Sequence, residues 1–253
     1  MVHLKSAVEI DRIRTSCRIA ADAMQPVEAE HKPGVTTLYL DQIADQYIRS
    51  QGASASALGY HGFPRSICIS INDEVVHGIP KERVVQEGDI LAVDIAVKKD
   101  GYHGDMNVTM QAGSISPDAQ RLVDTTRQSL EEGLAASIAG QRLGDIGHAI
   151  QSYVEERGYS VVREYCGHGI GRNFHEEPQL LHYGIAGTGR RLQVGMVFTI
   201  EPMVNEGTAD TRVLDDDWTA VTVDGKLSAQ YEHTVAVTRD GPDILSRFAD
   251  LPY

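Results

Sequence analysis

The chain has 253 residues, of which 42% are hydrophobic and 23% are charged, a composition typical of a globular protein and not of a disordered or fibrous one. Its formal net charge of -13 argues against a nucleic-acid binder, because binding to phosphates requires clustered Lys and Arg. The sequence has no apolar run of about 20 residues and its first residues lack the pattern of a signal peptide, so we expect no membrane association.

The N-terminal part of the chain predicts two helices. Ser6 and Glu9 have the spacing of a capping box, and apolar residues follow at steps of three and four. Pro33-Gly34 interrupts this pattern, and a second helix is expected from about 36 to 50. Its inward-facing residues are expected to be Leu40, Ile43, Ala44 and Tyr47.

The middle of the chain changes to short runs typical of β-strands. Residues 66–71 alternate apolar and small polar side chains, and the run 89–97 leads through a turn into 102–110. A Ser-Pro-Asp sequence at 116–118 then predicts the start of a helix that continues to about 139. A further helix is expected over about 143–156.

The last third of the chain begins with a Gly-rich stretch from Gly167 to Gly189 and returns to strands. One strand is predicted at 196–201, and a hairpin is predicted through Asp224-Gly225. The two rounds of helices and strands are not separated by a linker rich in Pro or Ser. We therefore predict one domain over residues 1–253, of the α+β class rather than a doubly wound α/β fold.

The three cysteines are Cys17, Cys68 and Cys166, an odd number at wide spacing that predicts neither a disulfide framework nor a CxxC metal site. Reduced thiols in a cytoplasmic protein are the simplest interpretation. We expect these residues to serve as small buried hydrophobic side chains.

Two acidic residues, Asp94 and Asp105, lie in the pair of strands predicted around residue 100. If the loop has two or four residues centred near 99–100 or 100–101, both carboxylates project from the same face, opposite or diagonally adjacent. Two such charges repel unless a cation lies between them. An exposed strand face with two solvated acids is also compatible with this pair.

Glu201 and Glu232 lie in strongly apolar strand sequences, where an unpaired carboxylate would have to be neutralised, paired or bound to metal. His168 is flanked by glycines, which we expect to let a ligand approach closely. Four carboxylates and one imidazole suit a dinuclear site for Co, Mn, Fe(II) or Zn, and do not resemble a thiolate-rich structural zinc site.

Five separated motifs resemble, in order and over nearly the whole chain, those of the type I methionine aminopeptidases. They are Gly101–Asp105, Tyr165–Gly171, Phe174–Pro178, Thr199–Met203 and Gln230–Thr234. The resemblance implies the pita-bread fold, with two pseudo-symmetric halves, an antiparallel sheet and outer helices around a central pair of divalent metal ions. It also implies a single catalytic domain that removes the initiator methionine before a small second residue, using water activated by both metals.

The resemblance also implies roles for individual residues. The metal ligands would be Asp94, Asp105, His168, Glu201 and Glu232, with Asp105 and Glu232 shared by both ions. Glu201 would also transfer a proton, and His77 and His175 would contact the substrate and assist catalysis. The pocket for the methionine side chain would be formed by Tyr60, Phe63, Cys68, Phe174 and Trp218.

The sequence departs from the family pattern at two positions near this pocket. Ala57 stands where relatives often carry Cys, and Phe63 stands where a Tyr is common. These differences bear on the shape of the pocket, while no metal ligand is missing.

The resemblance favours a monomer that acts on peptides and nascent chains, with the ribosome as a further partner for which no binding motif is visible. The nearest alternative is a proline-specific peptidase of the same fold, which usually has an extra N-terminal domain that we do not expect here. A metal-free scaffold is disfavoured because all five ligands are present. A nucleotide site at Gly167–Gly171 is disfavoured because the GxxxxGK[ST] and GxGxxG spacings are absent.

Overall fold

The computed structural model describes residues 2–247, which contain four α-helices and fifteen short strands. The helices are α1 (Ala7–Glu30), α2 (Thr37–Ser50), α3 (Pro117–Ala135) and α4 (Leu143–Glu155). The strands are β1 (Ser54–Ala55), β2 (Cys68–Ile71), β3 (Glu74–Val76), β4 (Ile90–Lys99), β5 (Tyr102–Gln111), β6 (Ser160–Val161), β7 (Gly167–Gly169), β8 (Glu176–Leu180), β9 (Val197–Ile200), β10 (Met203–Asn205), β11 (Thr211–Val213), β12 (Ala220–Thr222), β13 (Ser228–Gln230), β14 (Glu232–Val237) and β15 (Pro242–Ile244). Among the described residues, no helix has the length and apolar character needed to cross a membrane.

The starts of the first three helices follow from their capping residues. The Ser6 hydroxyl accepts a hydrogen bond from the Glu9 N–H, and the Glu9 carboxylate accepts one from the Ser6 N–H, as the capping box predicted. Thr36 and Ser116 cap α2 and α3 through their hydroxyl groups. On α2, Leu40 and Ala44 are buried as predicted, Ile43 and Tyr47 are half-buried, and the deepest apolar contacts also include Ile48.

Helix α3 ends at Ala135, four residues earlier than the sequence predicted. The Ser137 hydroxyl donates to the Gly133 carbonyl, which a continuing helix would have paired with the Ser137 N–H. That N–H bonds to Leu134 instead, and the chain turns away at Gly140, whose φ is +96°. The helix therefore ends here, because the Ser137 hydroxyl occupies the carbonyl that the next helical hydrogen bond would need.

The strands form one large and two small antiparallel sheets. The large sheet has the order β1-β4-β5-β14-β9-β7-β8, with β2 paired to β4 and β15 paired to β14. The small sheets have the orders β13-β10-β6 and β11-β12-β3. Antiparallel pairing with helices grouped in two pairs, α1-α2 and α3-α4, confirms the α+β class.

Strands β4 and β5 form the predicted hairpin through a two-residue turn. Asp100 and Gly101 have φ values of 48° and 80°, the positive φ that a tight type I′ turn requires. The register places Asp105 opposite Ala96, so Asp94 and Asp105 are diagonal neighbours on one face of the sheet. The prediction that they share a face is correct.

The hairpin predicted through Asp224-Gly225 is wrong. Strand β12 pairs with β3 and β11, whereas β13 pairs with β10, so the strands on either side of this turn belong to different sheets. The Asp224 carboxylate accepts hydrogen bonds from the N–H groups of Thr208 and Lys226. The turn is therefore attached to the segment after β10 and does not close a two-stranded ladder.

The helices cover one face of the large sheet and leave the other face for the site. Helix α1 packs on β4 and β5, and α3 packs on β9 with α4 alongside. A Cβ at Gly104 would lie 2.5 Å from the Cys17 backbone nitrogen, so only glycine allows α1 this close to β5. The odd-numbered residues Val93, Ile95 and Val97 of β4 lie in this core, and the even-numbered residues point to the opposite face.

Candidate metal centre and substrate cavity

Five neighbouring strands each bring one predicted ligand to the face of the large sheet opposite the helices. Asp94 lies on β4, Asp105 on β5, Glu232 at the start of β14, Glu201 directly after β9, and His168 in the middle of β7. These strands are consecutive in the sheet. Residues that are far apart in sequence therefore meet because their strands lie side by side.

Glu201 and Glu232 lie opposite each other where two strands pass from one sheet into another. The chain leaves the large sheet after β9 and enters a small sheet as β10, while its partner passes from β13 into β14. The register is the same on both sides of this interruption, which places Glu201 opposite Glu232. Pro202 has no N–H to donate, so the ladder cannot continue through it.

The side chains of this group converge on one point. His168 Nε2 lies 3.8 Å from Asp105 Oδ2 and 3.8 Å from Glu201 Oε1. One ligand atom each from Asp105, His168 and Glu232 lie within 4.8 Å of one another. Asp105 Oδ1 and Glu232 Oε1 are buried without a hydrogen-bond partner among the described residues. An unsatisfied buried carboxylate oxygen is costly, and binding a cation removes that cost.

The carboxylates lack a matching positive charge from the protein. Among the described residues that line their cavity there is no lysine or arginine. Burial raises the pKa of Asp94 to about 6 and the pKa of Glu201 to about 8. Burial and the neighbouring carboxylates raise the pKa values of Asp105 and Glu232 well above the usual range. Divalent cations fit this donor set, since they supply the missing charge.

His168 is held in the form that binds metals. Its Nδ1 lies 3.0 Å from the Gly169 carbonyl oxygen, so Nδ1 carries the proton and donates it, leaving the Nε2 lone pair directed at the carboxylates. Burial lowers the pKa of His168 to about 3, which keeps the ring neutral. A neutral imidazole with a free Nε2 is a good metal ligand.

The glycines on either side of His168 are required by strand packing, which differs from the ligand access expected from the sequence. A Cβ on Gly167 would lie 2.3 Å from the Thr199 carbonyl oxygen, and one on Gly169 would lie 2.2 Å from the Glu177 carbonyl oxygen. Strand β7 lies between β8 and β9, and only glycine allows both neighbours this close.

Three polar side chains that the sequence analysis did not single out hold the carboxylates. Thr199 Oγ1 donates to Glu201 Oε1 at 2.6 Å, and Gln230 Nε2 lies 3.4 Å from Glu201 Oε2. The Asn107 amide lies 3.3 Å from Asp94 Oδ2 and donates to Gln230 Oε1 at 2.9 Å. Gln230 falls in one of the five motifs, and Asn107 shares the strand face of the ligand two residues earlier, so both could have been suspected.

His182 is a further residue that the sequence did not reveal. Its Nε2 accepts a hydrogen bond of 3.0 Å from the Glu201 N–H, at the point where Pro202 interrupts the ladder. The ring is fully buried, and burial lowers the pKa of His182 to about 3. His182 therefore fixes the Glu201 backbone, and no local pattern distinguishes it from other histidines of the Gly-rich stretch.

All of the predicted site residues line one cavity of about 270 Å³. Besides the five ligands, its walls include Tyr60, Phe63, Cys68, His77, Phe174, His175 and Trp218. Cys68 lies directly opposite Asp94 in the sheet, so the apolar end of the cavity adjoins the carboxylates. The volume is below the roughly 300–1,000 Å³ of pockets for drug-sized ligands and suits one apolar side chain.

Both departures from the family pattern, Ala57 and Phe63, lie in the cavity wall. Phe63 is buried and packs edge-on against Trp218, with ring centroids 5.1 Å apart. A tyrosine would bring a hydroxyl group to this position. The Phe63 wall is therefore apolar, which suits an apolar or sulfur-containing side chain.

His77 and His175 present their rings to the same cavity. His175 Nδ1 lies 2.8 Å from the Tyr60 hydroxyl, and its ring centroid is 4.1 Å from that of His168. His77 has a φ of 59°, and its ring packs edge-on against Trp218. Burial lowers the pKa of His77 to about 4 and also lowers the pKa of His175. Both rings are neutral near pH 7 and can each donate one N–H.

We expect the metal-free protein to lose stability as the pH rises from about 6.5 to 8. The pKa of Glu201 is about 8 in the folded protein and 4.5 for the free side chain, so the folded state holds an extra proton between these values. Glu201 therefore lowers stability as the pH rises toward about 8. Below about pH 6.5 the buried histidines oppose this effect, because burial lowers the pKa values of His168 and His182 and only the unfolded state protonates them there, so the fall is expected above pH 6.5. Bound divalent metal should largely remove this dependence.

Thermal unfolding, measured with chelator and with added Mn(II) at several pH values, tests this expectation. The metal-free melting temperature should fall between pH 6.5 and 8, and the difference between the metal-free and metal-loaded series should widen. A metal-free melting temperature that stays flat from pH 6.5 to 8 would contradict the account of the carboxylates.

The chain matches known proteins in sequence and in fold. The model of metallopeptidase family M24 matches residues 11–239. Methionine aminopeptidase A of Synechocystis sp. is 51% identical over 246 residues, which cover 97% of each chain. The crystal structure of methionine aminopeptidase from Rickettsia prowazekii matches with a TM-score of 0.96 and 42% identity, over 98% of this chain and 100% of that chain. Prolidase from Pyrococcus furiosus has a TM-score of 0.80 and 21% identity over 96% of this chain and 65% of that one, which shows a shared fold alone.

Proposed function

The chain belongs to metallopeptidase family M24 and, within it, to the methionine aminopeptidases, and from this membership we propose how its cavity works. The protein is a metal-dependent hydrolase that removes the N-terminal methionine from peptides and new proteins. The observation that supports the mechanism is a group of buried carboxylates in a small cavity whose described lining contains no lysine or arginine.

The five ligands would hold two divalent ions. Asp105 and Glu232 would contribute to both ions, Asp94 to one, and His168 and Glu201 to the other. The orphaned oxygens of Asp105 and Glu232 support the shared role, since each is buried with no hydrogen-bond donor among the described residues. A donor set of carboxylate oxygens with one imidazole nitrogen suits Co, Mn, Fe(II) or Zn.

When bound, two divalent cations supply Lewis acidity and lower the pKa of water enough for it to attack a peptide carbonyl near neutral pH. Glu201 takes a proton from the attacking water and passes it to the leaving amine. Its carboxylate is already oriented for this by the hydroxyl of Thr199 and the amide of Gln230. Its backbone is held by His182.

The two cavity histidines act on the peptide bond. With the Tyr60 hydroxyl donating to Nδ1, His175 carries its proton on Nε2 and donates it to the oxygen on which negative charge develops. His77 orients the peptide bond from the Trp218 side of the cavity. The methionine side chain lies in the apolar part of the cavity, against Phe63 and Cys68.

The substrates are peptides, including nascent chains. We propose that the protein works as a monomer in the cytoplasm, with residues 1–253 forming a single catalytic domain and a small second residue preferred in the substrate. Any contact with the ribosome would be local and salt-sensitive, because the net charge of -13 repels RNA.

A proline-specific peptidase remains the alternative to be tested within this fold. The prolidase match is only 21% identical, whereas methionine aminopeptidase A is 51% identical over nearly the full length of both chains. Release of methionine from Met-Ala-Ser should therefore exceed cleavage of an Xaa-Pro dipeptide, and Ala-Ala-Ser should be a poor substrate because alanine leaves the apolar pocket unfilled. Cleavage of only the Xaa-Pro dipeptide would overturn the proposal.

A further inference from the structure

A second cavity, of about 810 Å³, opens beside the metal-site cavity. The two cavities share three wall residues, Tyr60, Phe174 and His175. The second cavity is termed the outer groove, and its remaining wall includes Lys98 and Arg172. The groove therefore adjoins the place where the first residue of a bound peptide would lie.

The outer groove is cationic although the whole chain carries a net charge of -13. Its described wall contains three strong cations and one acid, Asp45. Arg49 Nε lies 2.7 Å from Asp45 Oδ2, so that pair neutralises itself. Lys98 and Arg172 form no ion pair with any described residue. Arg172 also borders a neighbouring cavity lined by Glu9, Glu176 and Glu177. Of these two cations, only Lys98 therefore belongs to the groove alone.

Arg172 is held in place by stacking. Its guanidinium carbon lies 4.8 Å from the centroid of the Tyr102 ring, and Tyr102 is buried, with its hydroxyl 3.1 Å from a Glu9 carboxylate oxygen. A guanidinium stacked on a fixed ring keeps its N–H edges available for a carboxylate.

Lys98 lies on the same face of β4 as Asp94, because the two positions differ by an even number of residues. Its side chain is exposed, with Ser54 and His103 as strand neighbours. Four residues of strand at about 3.3 Å each put Lys98 roughly 13 Å from Asp94. An extended peptide covers that distance in roughly four residues.

We propose that the outer groove binds the substrate downstream of the cleaved bond and favours acidic side chains near its fourth and fifth residues. The inference rests on the proposed function, because it takes the first residue of the peptide to lie at the metal ligands. Lys98 and Arg172 supply the charge, and the shared wall of Tyr60, Phe174 and His175 places the groove directly beside the site.

Hydrolysis rates of charged peptides test the groove with the metal-loaded protein. At low ionic strength, kcat/KM for Met-Ala-Ser-Glu-Glu-amide should exceed that for Met-Ala-Ser-Lys-Lys-amide by about tenfold, since each exposed charge pair contributes a factor of roughly two to five. The ratio should approach one at about 0.5 M NaCl, where the Debye length is only a few ångströms. Moving the two glutamates to positions nine and ten should also remove the preference.

Lys98→Glu should bring the ratio to one or below. It should leave kcat/KM for Met-Ala-Ser unchanged, because the tripeptide ends before Lys98. The matched control is Arg121→Glu, the same charge reversal at an exposed position of α3, on the helix-covered side of the sheet. This variant should keep the wild-type ratio.

Equal rates for the two pentapeptides, with Met-Ala-Ser cleaved normally, would overturn the groove assignment and leave the proposed function intact. An acidic preference that survives in both Lys98→Glu and Arg172→Glu would also overturn it. Failure to release methionine from any of the peptides would overturn the proposed function and the groove together.

Discussion

Glu232→Gln is expected to reduce kcat/KM on Met-Ala-Ser by more than about 10³-fold, because a shared ligand is lost, whereas one positioned hydrogen-bond donor is typically worth about 10²–10³. The Glu232 side chain is 1% exposed and lies between Asn107 and Glu201 across the sheet. Glutamine has almost the same shape but no charge, so metal binding should weaken while packing is kept. Kinetics and calorimetric titration with Mn(II) measure both effects.

Glu232→Gln should also stabilise the metal-free protein at pH 8. Burial and the neighbouring carboxylates raise the pKa of Glu232, so the folded state must keep a proton there that the unfolded state has released, and glutamine removes this cost. A packing defect would lower the stability of the metal-free protein instead. The melting temperature therefore distinguishes a loss of activity caused by weaker metal binding from one caused by a packing defect. Glu206→Gln is the matched control, because Glu206 lies outside the metal-site cavity and, within residues 2–247, its carboxylate accepts only a weak hydrogen bond of 3.4 Å, from the Leu227 N–H. Normal metal affinity in Glu232→Gln would contradict the shared-ligand assignment.

His175→Ala is expected to lower kcat on Met-Ala-Ser by about 10²–10³-fold with metal affinity retained, which is the usual effect of removing a donor to a developing oxyanion. The ring lies beside His168 without being a predicted ligand itself. Steady-state kinetics on the metal-loaded variant measure this loss.

Tyr60→Phe provides a graded comparison for His175→Ala. It removes the hydroxyl that lies 2.8 Å from His175 Nδ1 and selects the tautomer of that ring. We expect Tyr60→Phe to lower kcat on Met-Ala-Ser by less than His175→Ala does. Full kcat/KM in His175→Ala would show that the oxyanion assignment is incorrect.

The placement of Asp94 and Asp105 illustrates what local patterns can determine. The period of two along a strand, with a turn of known length, fixes which side chains share a face, and the Asp100-Gly101 turn supplies that length. The helix starts at Ser6 and Ser116 were predictable for the same kind of reason, since capping is decided within four residues. By contrast, the pita-bread arrangement was inferred from the resemblance of five motifs and not from periodicity.

The residues that support the ligands depend on contacts across long sequence distances. Asn107 meets Gln230, which is 123 positions away, and His182 reaches Glu201 only because β7, β8 and β9 adjoin. The hairpin predicted at Asp224-Gly225 was wrong because strand pairing also depends on contacts across long sequence distances. Its local sequence is a good turn, but its two strands pair with partners far along the chain. Local patterns therefore identified the candidate ligands, which the structure brings together, but not the residues that support them.

The most direct test of a dinuclear aminopeptidase is a metal titration of the chelator-treated protein, with bound metal and methionine release from Met-Ala-Ser measured in the same samples. The account predicts no release without metal, release that appears as Mn(II) or Co(II) binds, and saturation at two ions per chain. Methionine release that persists in the fully metal-free protein, or full binding of metal without any release, would contradict it.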